Sequence, residues 1–207
     1  MKLQITRLFP TSIFVFDDVL EDEYIDGMLF DIKLSAELNK EKRTSNWQSH
    51  KTPKLYENKK YKELGKTTLN LSKTYMNELL YEYDELSLTD MWSNILKPGE
   101  THAPHTHSNN FISGVFYLQS NDDSPAIQFL DPRGQTSVIT PQQKEYTMYN
   151  SGRYFFPANR NRMILFPSWL QHYVPVNTSN DNRISIAFNV MLKGLIGNPE
   201  SFQSSEV

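Results

Sequence analysis

Three histidines lie close together in the stretch THAPHTHSNNFISGVFYL, at His102, His105 and His107, and a fourth, His172, opens a later stretch, HYVPVNTSNDNRISIAFN. In an extended segment residues i and i+2 point to the same side, so His105 and His107 can converge on one ion, whereas His102 would face the other way in a regular strand. Two imidazoles close in sequence and a third from a remote segment are how a β scaffold builds a three-ligand metal site with open coordination positions. The chain has no cysteine, so any metal must be held by nitrogen and oxygen ligands. The fifth histidine, His50, sits in a polar, lysine-rich stretch and reads as a surface residue.

A second signal follows His172. Along Arg183-Ile184-Ser185-Ile186-Ala187-Phe188-Asn189-Val190 apolar residues alternate with polar or small ones. One face of this strand is greasy, and the other carries Arg183, Ser185 and Asn189. A guanidinium on an inward face is costly unless an anion meets it. Arginine with a hydroxyl two residues on suits a carboxylate, because the planar fork binds it bidentately and the hydroxyl adds a donor.

The elements that must position these residues are legible in outline. Leu3 to Phe16 alternates around Pro10 and predicts one or two short strands. Ile25, Met28, Leu29 and Ile32 recur at helical spacing from Asp22 to about Asn39. Glu41 to Lys60 reads as a long polar loop anchored by Trp47. A second helix is predicted from Lys62 to Tyr83, with Leu69, Met76, Leu80 and Tyr83 on its apolar face. Short β runs follow at 88–96, 111–118, 126–130, 146–156, 162–166, 173–176 and 183–192, separated by turn chemistry such as Pro98-Gly99 and Asp131-Pro132-Arg133-Gly134. Seven or eight such strands predict a sandwich or jelly roll. The polar tail from Gly197 is expected to fray.

The blocks HTHSNNFISGVFYL, AIQFLDPR, ILFPSWLQHYVPVN and RISIAFN, spread over roughly Trp92 to Asn189, resemble the 2OG-Fe(II) oxygenases, a branch of the 2-oxoglutarate- and iron(II)-dependent dioxygenase superfamily. The resemblance implies a mainly β protein with a double-stranded β-helix, a cupin-like jelly roll, carrying N-terminal helices packed on one sheet. It implies a single oxygenase domain over 1–207, with a helical buttress over 1–86, a jelly-roll core over 87–193 and a flexible tail over 194–207. It further implies Fe(II) as cofactor and 2-oxoglutarate as co-substrate, with His105, His107 and His172 as catalytic metal ligands and Arg183 and Ser185 as the co-substrate's carboxylate clamp. Tyr117 and Asn94 are candidate hydrogen-bond donors to that co-substrate.

One departure stands out. The superfamily pairs its first histidine with a carboxylate, and here His107 occupies that place, so either three neutral imidazoles suffice or a carboxylate such as Asp131 completes the site. The reaction implied is hydroxylation of an unactivated C–H bond with release of succinate and CO2. Arg133, Arg153 and the loop around Trp47 are candidates for shaping the substrate mouth. Two other readings are a three-histidine iron cupin dioxygenase, which needs no Arg183 clamp, and a non-catalytic jelly-roll binding protein.

Composition sets the remaining bounds. The 207 residues are 38% hydrophobic and 22% charged, ordinary for a globular domain, and a net charge of −3 without basic runs does not point to nucleic acid. No uncharged apolar run approaches the ~18 residues of a membrane span, and no signal segment opens the chain, so a soluble, cytoplasmic protein is expected. The primary substrate is open, a protein side chain included. So is the oligomeric state, with which a homodimer is compatible.

Overall fold

The computed structural model describes residues 1–38, 54–134 and 138–207. Trp47 and His50, together with most of the polar loop expected over 41–60, lie outside the described residues. No described helix is long and apolar enough to cross a membrane.

Helix α1 (Asp22–Leu38) begins with Asp22 and Glu23, whose negative charge suits a helix N-terminus, and buries the stripe Ile25, Met28 and Ile32. Each of these side chains, withdrawn from water, contributes roughly 1.5–3 kcal/mol. Helix α2 (Lys62–Glu78) buries Leu64, Tyr75 and Met76. It ends earlier than the sequence predicts: Leu80 adopts φ 57° and Tyr81 N–H closes onto the Met76 carbonyl at 3.0 Å, an αL helix end. Leu80, expected on the buried stripe, is therefore 89% exposed.

Among the described residues eleven strands follow one another as β1 (Phe14–Phe16), β2 (Glu85–Leu96), β3 (His102–His105), β4 (Ile112–Gln119), β5 (Ile127–Leu130), β6 (Arg153–Phe156), β7 (Met163–Pro167), β8 (His172–Val174), β9 (Arg183–Lys193), β10 (Leu195–Asn198) and β11 (Gln203–Glu206). A five-stranded sheet runs β1-β7-β4-β9-β2 and a four-stranded sheet runs β3-β8-β5-β6. Neighbours in both sheets are antiparallel throughout. This is the double-stranded β-helix expected from the resemblance, with α1 and α2 on the outer face of the larger sheet.

Alternation along β4 and β9 explains the layering. Ile112, Phe116 and Leu118 of β4, with Ile184, Ile186, Phe188 and Val190 of β9, face the helices and join Ile25, Ile32, Leu64 and Met76 in one core. The opposite faces carry Val115 and Tyr117, which pack with Ile127, Phe129, Ile164 and Phe166 between the sheets. Gly114 lies opposite Phe188, and a Cβ there would come within 2.3 Å of the Phe188 ring and 2.7 Å of the Ile164 carbonyl oxygen. No side chain larger than hydrogen fits at that crossing.

Four local expectations are corrected. Of Leu3–Phe16 only the last three residues pair as a strand. Of residues 146–156 only Arg153–Phe156 do, because the polar residues before them form turns. The segment 102–105, read only as a ligand-bearing stretch, is strand β3. The tail expected to fray forms a hairpin: β10 and β11 pair in register, with Phe202 at φ 59° between them.

Candidate metal centre

Sheet register brings the histidines together. His105 closes β3 and lies directly opposite His172, the first residue of β8, so both rings emerge on one face with centroids 4.3 Å apart. His107 lies two residues beyond β3, where its backbone N–H donates to the Ser168 carbonyl at 3.0 Å. Its ring sits 5.1 Å from His105 and 5.2 Å from His172, with the indole of Trp92 at 5.8 Å. One ligating nitrogen from each of the three histidines lies within 4.8 Å of the others.

The tautomers follow from the neighbours. His172 Nδ1 meets the Leu170 carbonyl at 2.9 Å and His105 Nδ1 meets the Ala103 carbonyl at 2.7 Å. A carbonyl only accepts, so each Nδ1 carries the hydrogen and each Nε2 presents a lone pair inward, the orientation a metal ligand needs. His107 Nε2 lies 3.3 Å from His172 Nε2. Two inward lone pairs at that separation repel unless a cation lies between them or His107 donates its own Nε2–H. Burial lowers the pKa of His107 to about 4, assisted by His105 and opposed by Asp90. It lowers that of His172 to about 3, against the Leu170 hydrogen bond. Both rings are thus neutral at pH 7 and able to bind metal without first losing a proton. The donor set, three convergent imidazoles of which His105 and His172 have fixed tautomers, fits a divalent transition metal such as iron(II).

Arg183, the first residue of β9, is 2% exposed. Its Nη2 donates to the Tyr117 hydroxyl at 3.2 Å, the guanidinium lies 4.8 Å from the Tyr117 ring centroid, and Nε has no hydrogen-bond partner. Among the described residues no carboxylate pairs with it. A buried cation with an orphaned donor is costly unless an anion meets it. Asn94, Ser185 and Tyr117 stand side by side across β2, β9 and β4. A cavity of about 230 Å³ is lined by the three histidines with Asn94, Arg183 and Ser185. This is below the roughly 300–1,000 Å³ of pockets for larger ligands, and it suits a small molecule such as a short dicarboxylic acid. Tyr117 is wholly buried behind Arg183, where burial raises its hydroxyl pKa and the guanidinium opposes that rise.

Several other expectations resolve differently. Asp131 does not join the cluster: its carboxylate is held by Arg133 through Nε at 2.9 Å and Nη2 at 2.7 Å. Arg133 and Arg153 are exposed. Asn189, read as part of the polar face, accepts from Ser113 at 2.8 Å and reaches Asp90 at 3.4 Å. Ser113 also bonds Ser168, the residue whose carbonyl fixes His107. Sequence reasoning passed over Asp90 because nothing local links it to a histidine far downstream. His102, expected to face away, lines the same cavity. Between His102↔Val174 and His105↔His172 the register slips by one residue, an irregularity within Ala103-Pro104 on an edge strand, and the slip turns His102 back inward.

Comparison with known proteins agrees with this arrangement. A family model described as "Putative 2OG-Fe(II) oxygenase" matches residues 90–189, the segment that contains all four inward histidines and Arg183. No curated protein matches the chain in sequence. Among solved structures, a Pseudomonas putida prolyl-4-hydroxylase aligns at TM-score 0.59 and 10% identity over 89% of both chains. The epimerase SnoN from nogalamycin biosynthesis, in complex with Fe3+, alpha ketoglutarate and nogalamycin RO, aligns at 0.62 and 12% over 87% of this chain and 79% of its own. HygX from Streptomyces hygroscopicus, with nickel and 2-oxoglutarate bound, aligns at 0.57 and 9% over 87% and 82%. At these identities the likeness is one of fold. Over residues 90–189, the segment that carries the histidine and arginine strands, the chain is similar to the 2OG-Fe(II) oxygenase family.

Proposed function

We propose that the protein is a 2-oxoglutarate- and iron(II)-dependent hydroxylase, with His105, His107 and His172 as metal ligands and Arg183 as the anchor of the co-substrate's distal carboxylate. The observation that carries this reading is the buried guanidinium without a carboxylate partner, in one small cavity with three convergent imidazoles. A three-histidine iron dioxygenase without a 2-oxo acid would have no use for such a cation, and a binding module would have no use for three convergent imidazoles, two of them with their Nε2 lone pairs held inward.

Bound iron supplies activation of dioxygen, coupled to oxidative decarboxylation of 2-oxoglutarate. The balance is R–H + O2 + 2-oxoglutarate → R–OH + succinate + CO2. The chain's own residues bind and orient. His105 and His172 hold their Nε2 lone pairs inward because the Ala103 and Leu170 carbonyls hold their Nδ1 hydrogens. Arg183 receives a carboxylate on Nε and its free guanidinium edge, while Tyr117 keeps the fork in place from behind. Ser185 and Asn94, both buried, offer further hydrogen bonds along the cavity. Trp92, beside His107, helps keep water from the reacting side.

The test is turnover of the Fe(II)-loaded protein in 18O2 with 2-oxoglutarate, read as labelled succinate. One labelled oxygen per succinate, absent from His172→Ala, is expected. Wild-type protein that binds Fe(II) yet forms no succinate with any candidate substrate or in uncoupled turnover would overturn the proposal.

A further inference from the structure

His102 has no part in the metal cluster, yet it is 9% exposed and faces the cavity from β3. The register slip between His102 and His105 puts it there: three steps along β3 span what two steps along β8 span, so His102 and His105 emerge on the same side. Across the cavity stands Arg183, and further along the same strand stands His105. The surroundings of His102 register both: its pKa falls to about 4 through burial first, then through Arg183, then through His105. The ring thus shares one cavity with the guanidinium and with the first metal ligand. Those are the two ends between which a 2-oxo dicarboxylic acid must stretch if the proposed function holds.

We propose that His102 is a co-substrate-positioning residue, giving a neutral imidazole N–H to 2-oxoglutarate between Arg183 and the histidine cluster and limiting the length of oxo acid that fits. The inference rests on the proposed function and adds to it a residue, a role and a selectivity. A neutral imidazole is suited to the place. It donates to a carboxylate without adding a second buried cation beside Arg183, and it lines a cavity of only about 230 Å³.

The experiment compares wild type with His102→Gln, His102→Phe and His102→Ala. Anaerobic Fe(II)-loaded proteins are titrated calorimetrically with 2-oxoglutarate and with its one-methylene-longer homologue 2-oxoadipate, and Fe(II) affinity is measured alongside. A hydrogen bond to a charged group predicts that His102→Phe, with Fe(II) binding intact, weakens 2-oxoglutarate binding roughly tenfold or more. His102→Gln, which keeps an N–H donor, is expected within about threefold of wild type, and His102→Ala should narrow the preference for 2-oxoglutarate over 2-oxoadipate. In turnover the Phe substitution should raise the 2-oxoglutarate KM with little change in kcat. Wild-type affinity and selectivity in folded, Fe(II)-binding Phe and Ala variants would overturn the inference while leaving the proposed function standing. Failure of Fe(II)-loaded wild type to bind 2-oxoglutarate would overturn both.

Discussion

Replacing Arg183 with methionine should move stability and binding in opposite directions. In the ligand-free protein the guanidinium is 2% exposed, Nε is orphaned, and the Tyr117 hydroxyl and ring hold its other side. An unsatisfied buried donor costs about 1–3 kcal/mol, and methionine of similar length removes that cost while giving up a hydrogen bond worth about 0.5–1.5 kcal/mol. Arg183→Met is therefore expected to be as stable as the ligand-free wild type or up to about 1–2 kcal/mol more stable. In a chain of this size that is a rise in Tm of roughly 2–8 °C at most. Binding changes far more, because removing one partner of a buried ion pair costs about 3–5 kcal/mol. The affinity for 2-oxoglutarate should fall at least about 100-fold. Thermal unfolding of the metal-loaded proteins reads both effects. With 2-oxoglutarate at about 100 times Kd the wild type gains about 2.7 kcal/mol, and the variant should gain almost nothing. A variant less stable than wild type without ligand, and still stabilised by 2-oxoglutarate, would refute the view of Arg183 as an unpaired anchor.

Other outcomes follow from packing and protonation. Gly114→Ala drives a Cβ against the Phe188 ring and the Ile164 backbone, and overpacking of this kind is expected to cost about 1–3 kcal/mol, readable by chemical denaturation. An unchanged midpoint would show that the crossing has slack. In the metal-free protein the folded-state pKa values of His102, His107 and His172 lie below 6.5, so the folded state binds fewer protons than the unfolded one in the window from about pH 4 to 6.5. Stability should then be flat above pH 6.5 and fall as pH drops below it, by about 1 kcal/mol per histidine at pH 5.5. Denaturation in EDTA at pH 7.5, 6.5 and 5.5 measures this, and equal stability at all three would contradict it. Asp131→Asn should leave Fe(II) affinity within about twofold, since Arg133 and not the cluster holds that carboxylate, and loss of metal binding would restore Asp131 as a ligand.

Where chemistry and period coincide, the sequence was legible. His105 and His107 are two residues apart, Arg183 and Ser185 likewise, and both pairs line the cavity; for Arg183 and Ser185 within β9 the spacing of two decides the face, while His107, beyond β3, is held by its N–H bond to the Ser168 carbonyl. The alternation along β9 likewise separated Ile184, Ile186 and Phe188 from Arg183, Ser185 and Asn189, and the two sets do lie on opposite faces. What was not legible depends on partners remote in the chain. His102 turns inward because β3 slips against β8 between His102 and His105, and a slip is defined by the strand opposite. Asp90 reaches the site through Asn189, across the β2–β9 pairing. Local backbone conformation accounts for the rest. Leu80 continues the apolar spacing of α2, but its left-handed φ ends the helix before the stripe can use it. Polarity from Gly197 suggested fraying, whereas Asn198, Phe202 and Gly197 with φ 83° shape a hairpin whose hydrogen bonds are backbone and indifferent to polarity.

The most direct measurement of the central claim is anaerobic titration of Fe(II) into the metal-free protein with 2-oxoglutarate present, followed by the visible charge-transfer absorption of the iron–oxo-acid chelate. One equivalent of Fe(II) per chain should develop the full band in wild type, and His172→Ala should develop none. A full band in His172→Ala, or none in folded wild type at saturating Fe(II) and 2-oxoglutarate, would contradict the claim that the three imidazoles and Arg183 form one site.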